Sequence, residues 1–200
     1  MRRDLNIFSF YRLLRILLEK GEYMKRISLS LIFSVLSFSH HVDADDLSSH
    51  LKIIELHEQT FKKQQKCLAQ AIYFESADKP TSQQAVANVI LNRTLTNQYP
   101  DTVCGVVNHK TTHNVSKKRV CQFSYVCEQP KKIEYSSDKW KNSEEVAETV
   151  LATFVEQDRK DLTNGATHFH DTRVNPTWAR STQFVRTLKA SGLSFYKKKK

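Results

Sequence analysis

Glycine is almost missing from this chain: 200 residues contain only Gly21, Gly105, Gly165 and Gly192. They lie too far apart for a Gly-x-Gly-x-x-Gly or P-loop pattern, which excludes a nucleotide cradled on glycine backbone. No His-Glu-x-x-His occurs, and no Cys-x-x-Cys, so the commonest zinc frameworks are excluded too. Long apolar runs are lacking: the twelve uncharged residues 27–38 are too few to cross a bilayer. There is no internal repeat. Acidic side chains are in deficit, 21 against 31 lysines and arginines, for a formal charge of +10. Much of that excess sits at the ends. Residues 1–44 hold seven basic and four acidic side chains, and Lys197–Lys200 add four cations. The remainder is only mildly basic, too little for a whole-face nucleic-acid footprint. What is present is 40% hydrophobic and 26% charged, enough for one ordinary domain with an extension.

Met24, Lys25 and Arg26 precede the apolar run, and Val42-Asp43-Ala44 follows it with small residues where a signal peptidase reads. This is the layout of a secretory signal over 24–44, with cleavage expected before Asp45. Arg12, Arg15 and Glu19 interrupt the segment upstream, so initiation is expected at Met24. All four cysteines, Cys67, Cys104, Cys121 and Cys127, lie beyond the cleavage point. An even number in an exported domain favours disulfides, and the spacing leaves all three pairings open.

Apolar residues at helical spacing predict a polar leader helix or linker over 45–66 and a second helix over 66–75. In the latter, Leu68, Ala71 and Ile72 share a face, and Glu75 falls four residues after Ala71 on the same stripe. A carboxylate facing the core is the sharpest anomaly in the chain. Desolvation would favour its protonated form, which suits a general acid; a glutamate at a helix end turned to solvent is the plainer alternative. Residues 83–93 predict a strongly apolar helix, and Arg93 on it can pair a carboxylate or cap the last turn. A short buried element is expected over 102–108, an exposed loop over 110–120 and a strand over 122–126. A last helix is expected from Asn142, with Glu145 completing a capping box and Val146, Val150, Leu151, Phe154 and Val155 buried. Residues 166–170 read as a strand with His168 and His170 on one face.

In order along the chain, Cys67–Ala77, Gln83 with Ala85–Arg93, Tyr99-Pro100 with Val103–Val107, Cys121–Ser124, Gly165–His170 and Pro176–Ala179 resemble the SleB/CwlJ-type cell-wall hydrolase family, the spore-cortex-lytic-enzyme-like peptidoglycan hydrolases. The resemblance covers about two thirds of the sequence. It implies an α+β fold, a mostly helical, lysozyme-like compact catalytic domain with a few short strands, spanning 67–196 and followed by a basic tail at 197–200. It also implies a lytic transglycosylase, acting without cofactor or metal on the β-1,4 bond of peptidoglycan glycan strands. The family's catalytic acid corresponds to Glu75, and the matched motifs imply substrate contacts from Tyr73, Gln122, Phe123, Ser124, His168, His170 and Trp178. The implied partner is the cell envelope rather than nucleic acid, and the implied location is the periplasm, envelope or exterior. The chain departs from the family pattern between Glu75 and Ala85, which is one residue short. Ser82 stands where glycine is usual, and Leu193 where a histidine is usual.

Two other readings fit parts of the sequence. His109 with His113, and His168 with His170, are pairs from which a zinc amidase site can be built. A binder of anionic polymers would use Lys117–Arg119, Lys131-Lys132 and the final lysines.

Overall fold

The computed structural model describes residues 44–76, 78–112, 117–128 and 132–199. The signal segment, the Met24 start, His113, Lys131 and Lys200 lie outside the described residues. Two compact units divide between Ile53 and Ile54. Within the first, the described residues 44–53 are helical, and the features below belong to the second.

The elements run in the order α1 (Ala44–Glu75), α2 (Pro80–Thr94), α3 (Val103–Val107), β1 (Lys110–Thr112), β2 (Arg119–Cys121), α4 (Asp138–Val155), β3 (His168–Asp171), β4 (Phe184–Ala190) and β5 (Leu193–Lys198). Single 3-10 turns occupy Ser124–Val126 and Thr177–Arg180. The fold is α+β and mostly helical, as the sequence implies. The two helices expected on either side of Lys66 are one continuous element.

α2 is the hub. It opens with Pro80 at its first turn, where a missing N–H costs nothing. From Ser82 to Arg93 every side chain except Gln84 is buried. A helix apolar on nearly all sides must be wrapped by others. Leu68, Ala69, Ala71 and Ile72 of α1 and Val106 of α3 are fully buried, and Ala147, Val150 and Leu151 of α4 are nearly so. Ser82 fits its glycine-like position because its Oγ donates to the Lys79 carbonyl at 2.9 Å in the first turn. The buried amide of Asn92 donates to Asp161 Oδ2, Thr163 Oγ1 and the Ala166 carbonyl, tying α2 to the loop that feeds β3.

The main sheet is antiparallel in the order β3-β5-β4. His168 lies opposite Tyr196, Phe169 opposite Phe195, and Asp171 opposite Leu193. A bulge between Arg186 and Leu188 interrupts the β4–β5 ladder. Alternation gives this sheet two unlike faces. Phe169, Leu188, Leu193 and Phe195 join or pack on the core cluster, whereas His168, His170 and Tyr196 point the other way, under Trp178.

Disulfides join Cys67 to Cys104 and Cys121 to Cys127. The first closes a 37-residue separation and pins α1 to α3; the second closes a separation of six. Loop-closure entropy makes these worth about 4 and about 2 kcal/mol respectively.

Several local expectations are corrected. The strand expected over 122–126 is the 3-10 turn Ser124–Val126, because the short Cys121–Cys127 bridge forces the chain back on itself. The loop expected over 110–120 contains the hairpin β1–β2. α4 begins at Asp138 rather than Asn142: Ser137 Oγ accepts from the Trp140 N–H at 3.2 Å, and Trp140 is 3% exposed. Val155 is exposed rather than buried. The basic tail expected at 197–200 is partly strand, since Lys197 and Lys198 end β5. Among the described residues, no helix is long and apolar enough to cross a membrane.

Candidate active site

Glu75 is the last residue of α1, half-buried on the stripe that carries Leu68 and Ile72 into the core. Its carboxylate makes no hydrogen bond or ion pair among the described residues. Burial raises its pKa above the ordinary glutamate value, and the positive field of Arg93 partly opposes that rise. The side chain opens onto a cavity of about 390 Å³ lined by Glu75, Ser76, Asp171, Thr172, Arg173 and the β4–β5 turn through Leu193. A carboxyl whose protonated form is favoured by burial, facing a cavity, can protonate a leaving group.

Two neighbours set the field around it. Arg93 is 5% exposed and lies over the rings of Tyr99 and Phe123 at 5.0 and 5.5 Å. Its Nε donates to the Thr167 carbonyl at 2.8 Å, while one terminal nitrogen is buried without a partner. Tyr125 stacks on Phe74 at 4.5 Å, and its hydroxyl is buried and unpartnered. Burial, then the nearby Glu75 charge, pushes the phenol upward, so it stays a neutral O–H. Tyr125 is not among the residues that the sequence motifs single out. Its position two residues after Phe123, between Cys121 and Cys127, is the signal that could have found it.

Asp171 is the second carboxylate at the cavity. Arg173 holds it through Oδ1 at 2.9 Å and Oδ2 at 2.6 Å, and the Arg173 N–H adds a third bond at 2.8 Å. These bonds depress its pKa to about 2, opposite in direction to the shift at Glu75. Leu193, where the family pattern has histidine, lines the same cavity and is 8% exposed.

The remaining sequence-derived contacts are not gathered around Glu75. Tyr73 packs edge-on against Trp140 at 5.9 Å beneath Lys139, on the α4 side of α1. Phe123 is 1% exposed and belongs to the core, which corrects its expected role as a substrate contact. Gln122 is half-buried with its N–H bound to the His109 carbonyl, and Ser124 is exposed at the start of its 3-10 turn. His168, His170 and Trp178 do come together, on the outer face of the sheet. His168 lies 5.4 Å from Trp178 and 4.8 Å from Phe184. His170 stacks on Tyr196 and shares a hydrogen bond with its hydroxyl at 3.1 Å. Burial and the charges of Arg93 and Lys198 lower the His168 pKa to about 4, keeping it neutral. Among the described residues no three His, Cys, Asp or Glu side chains converge to hold a metal ion, and His109 packs against Tyr99.

The domain is mostly helical α+β, with a part-buried glutamate lining a cavity and unpaired among the described residues. The sequence pattern of the family described as Cell Wall Hydrolase matches residues 77–196. The chain belongs to that family and is a cell-wall hydrolase. The match begins two residues after Glu75. Among solved structures, the catalytic domain of the Bacillus cereus SleB protein is similar at 21% identity, covering 68% of this chain and 91% of that one, with a TM-score of 0.49. The catalytic domain of the germination-specific lytic transglycosylase SleB from Bacillus anthracis is similar at 21% identity, covering 67% and 93%, with a TM-score of 0.47. No curated protein matches the chain.

Proposed function

We propose that this hydrolase is a lytic transglycosylase that cleaves the β-1,4 bond of peptidoglycan between N-acetylmuramic acid and N-acetylglucosamine. Glu75 acts as both acid and base. One observation carries the reading: the Glu75 carboxyl is unpaired, half-buried and raised in pKa at the mouth of the 390 Å³ cavity. The protonated form donates to the glycosidic oxygen as the bond breaks. The resulting carboxylate takes the proton of the C6 hydroxyl while that oxygen closes on the anomeric carbon. The Tyr125 O–H and the free Arg93 nitrogen are candidate donors near the acid, with Tyr125 staying neutral throughout. Residues 67–196 form the catalytic segment in this reading, and export through a signal at 24–44 delivers it to the envelope. The two disulfides suit an oxidising compartment.

Asp171 supports a second reading. Two carboxyls at one cavity with pKa values shifted in opposite directions are the equipment of a hydrolytic glycosidase. Digestion of purified peptidoglycan, with mass spectrometry of the fragments, separates the two. Anhydro-muropeptides from the wild type and from Asp171→Asn, with none from Glu75→Gln, are expected. Reducing-end products that vanish with Asp171→Asn would establish hydrolysis instead, and free stem peptides would establish an amidase.

A further inference from the structure

The charge of this chain is less scattered than its composition implies. Residues 45–167 carry sixteen lysines and arginines and sixteen acidic side chains. Residues 168–200 carry eight basic side chains and one acidic, Asp171, which Arg173 already pairs. Every net charge beyond residue 44 therefore belongs to the segment that forms the three-stranded sheet. The register sorts those charges by face. Arg186 lies opposite Tyr196, Lys189 opposite Ser194, and Lys198 opposite Phe184. All three cations thus share the outer face with Tyr196, His168 and His170. They are exposed and without ion pairs among the described residues, as is Arg180 on the neighbouring 3-10 turn. From Phe184 to Lys189 the row runs about 15 Å along the strand. Between the cations, Trp178 and Phe184 present half-buried rings 5.3 Å apart.

We infer that this outer sheet face, through Arg186, Lys189, Lys198 and Arg180, docks the enzyme on the anionic sacculus by its stem-peptide carboxylates. The inference rests on the peptidoglycan reading above. The aromatic rings suit apolar sugar faces, and the cations suit carboxylates, which recur along the polymer on which the cavity acts. The cavity is lined from the opposite face of the same sheet by Asp171 and Leu193. One sheet thus holds the polymer on one side and shapes the reaction site on the other. Charge on the edge strand β4 also discourages strand pairing between copies, and the experiment must separate that role.

The test is co-sedimentation with purified sacculi across a salt series, using the full chain in a Glu75→Gln background so that the wall survives. Replacing Arg186, Lys189 and Lys198 together with glutamine should weaken binding about tenfold at low salt and flatten its salt dependence. The charge-keeping pair Arg186→Lys and Lys189→Arg should bind normally. Sacculi whose carboxylates are blocked as amides should bind the parent as weakly as untreated sacculi bind the triple variant. Unchanged binding by the triple variant would overturn the inference, most clearly if that variant self-associates, since edge protection would then be the whole role. Tighter binding to poly(dT) or to a phosphodiester polymer than to sacculi would overturn the choice of partner. Lysis by the Glu75→Gln protein itself would remove the proposed chemistry while leaving the docking result standing.

Discussion

The two faces of the β3-β5-β4 sheet are opposites in chemistry. The inner face is aliphatic and aromatic, meets α2, and at its edge offers Asp171 and Leu193 to the cavity of Glu75. The outer face is a box of His168, His170, Trp178, Phe184 and Tyr196 rimmed by unpaired cations. A step of one residue along β3 passes from one environment to the other, from His170 to Asp171. Resemblance motifs that read as a single site along the chain are thus divided by pleating. Pleating places Asp171 at the cavity of Glu75 and turns His168 and His170 away from it.

The comparison breaks most visibly through Glu75→Gln. It should lower wall lysis by about 10²- to 10⁴-fold, the range of a lost general acid, while leaving circular dichroism unchanged. Trp178→Ala should do the reverse. Stripping a half-buried ring from the aromatic box should cost about 2 kcal/mol in denaturant melts and leave kcat nearly untouched. A collapse of kcat with an unaltered melt would mean the outer face takes part in the chemistry.

Leu193→His sharpens the comparison from inside by adding an imidazole beside Glu75. When charged it lowers the glutamate's pKa, so the basic limb of the pH–rate profile should move to lower pH.

The smallest effect is a pair of opposite pH slopes. Glu75 has a folded pKa raised above its unfolded value, so it favours the fold in acid, and that contribution is lost as pH rises past the ordinary glutamate range. Glu75→Gln should therefore raise the melting temperature at neutral pH and not in acid. His168 is lowered from 6.5 to about 4, so the unfolded chain takes up its proton first and stability falls as pH drops through that window. His168→Phe should flatten this fall in melts taken between those values. Parallel slopes for the two variants would refute the assignment of burial to both groups.

Helical phase alone located Glu75, because a period of 3.6 residues carries it onto the face of Leu68 and Ile72 whatever surrounds it. It also marked α2 as core, since few of its side chains could face water. Cysteine pairing was illegible, being a matter of distance between α1 and α3 rather than of spacing. The turn at Ser124–Val126 escaped for the same reason: alternation of Gln122–Val126 reads as a strand until Cys121 is known to close on Cys127. Asn142 with Glu145 mimics a helix start, but Ser137 wins because it caps a turn that buries Trp140. Arg93 was recognised as able to pair a carboxylate. Instead it lies over the rings of Tyr99 and Phe123, bound to the Thr167 carbonyl with one nitrogen left without a partner, a placement set by segments distant in the chain.

The place of Glu75 as the final residue of the 32-residue α1 has a consequence of its own. The peptide dipoles of a helix sum to roughly half a negative charge at its C-terminal end. A carboxylate formed there meets the negative end of that dipole as well as the cost of its burial. The backbone thus resists ionisation independently of any neighbouring side chain. That influence fades within one turn, so residues 72–75 add it to the burial and the Arg93 field that already act on the group.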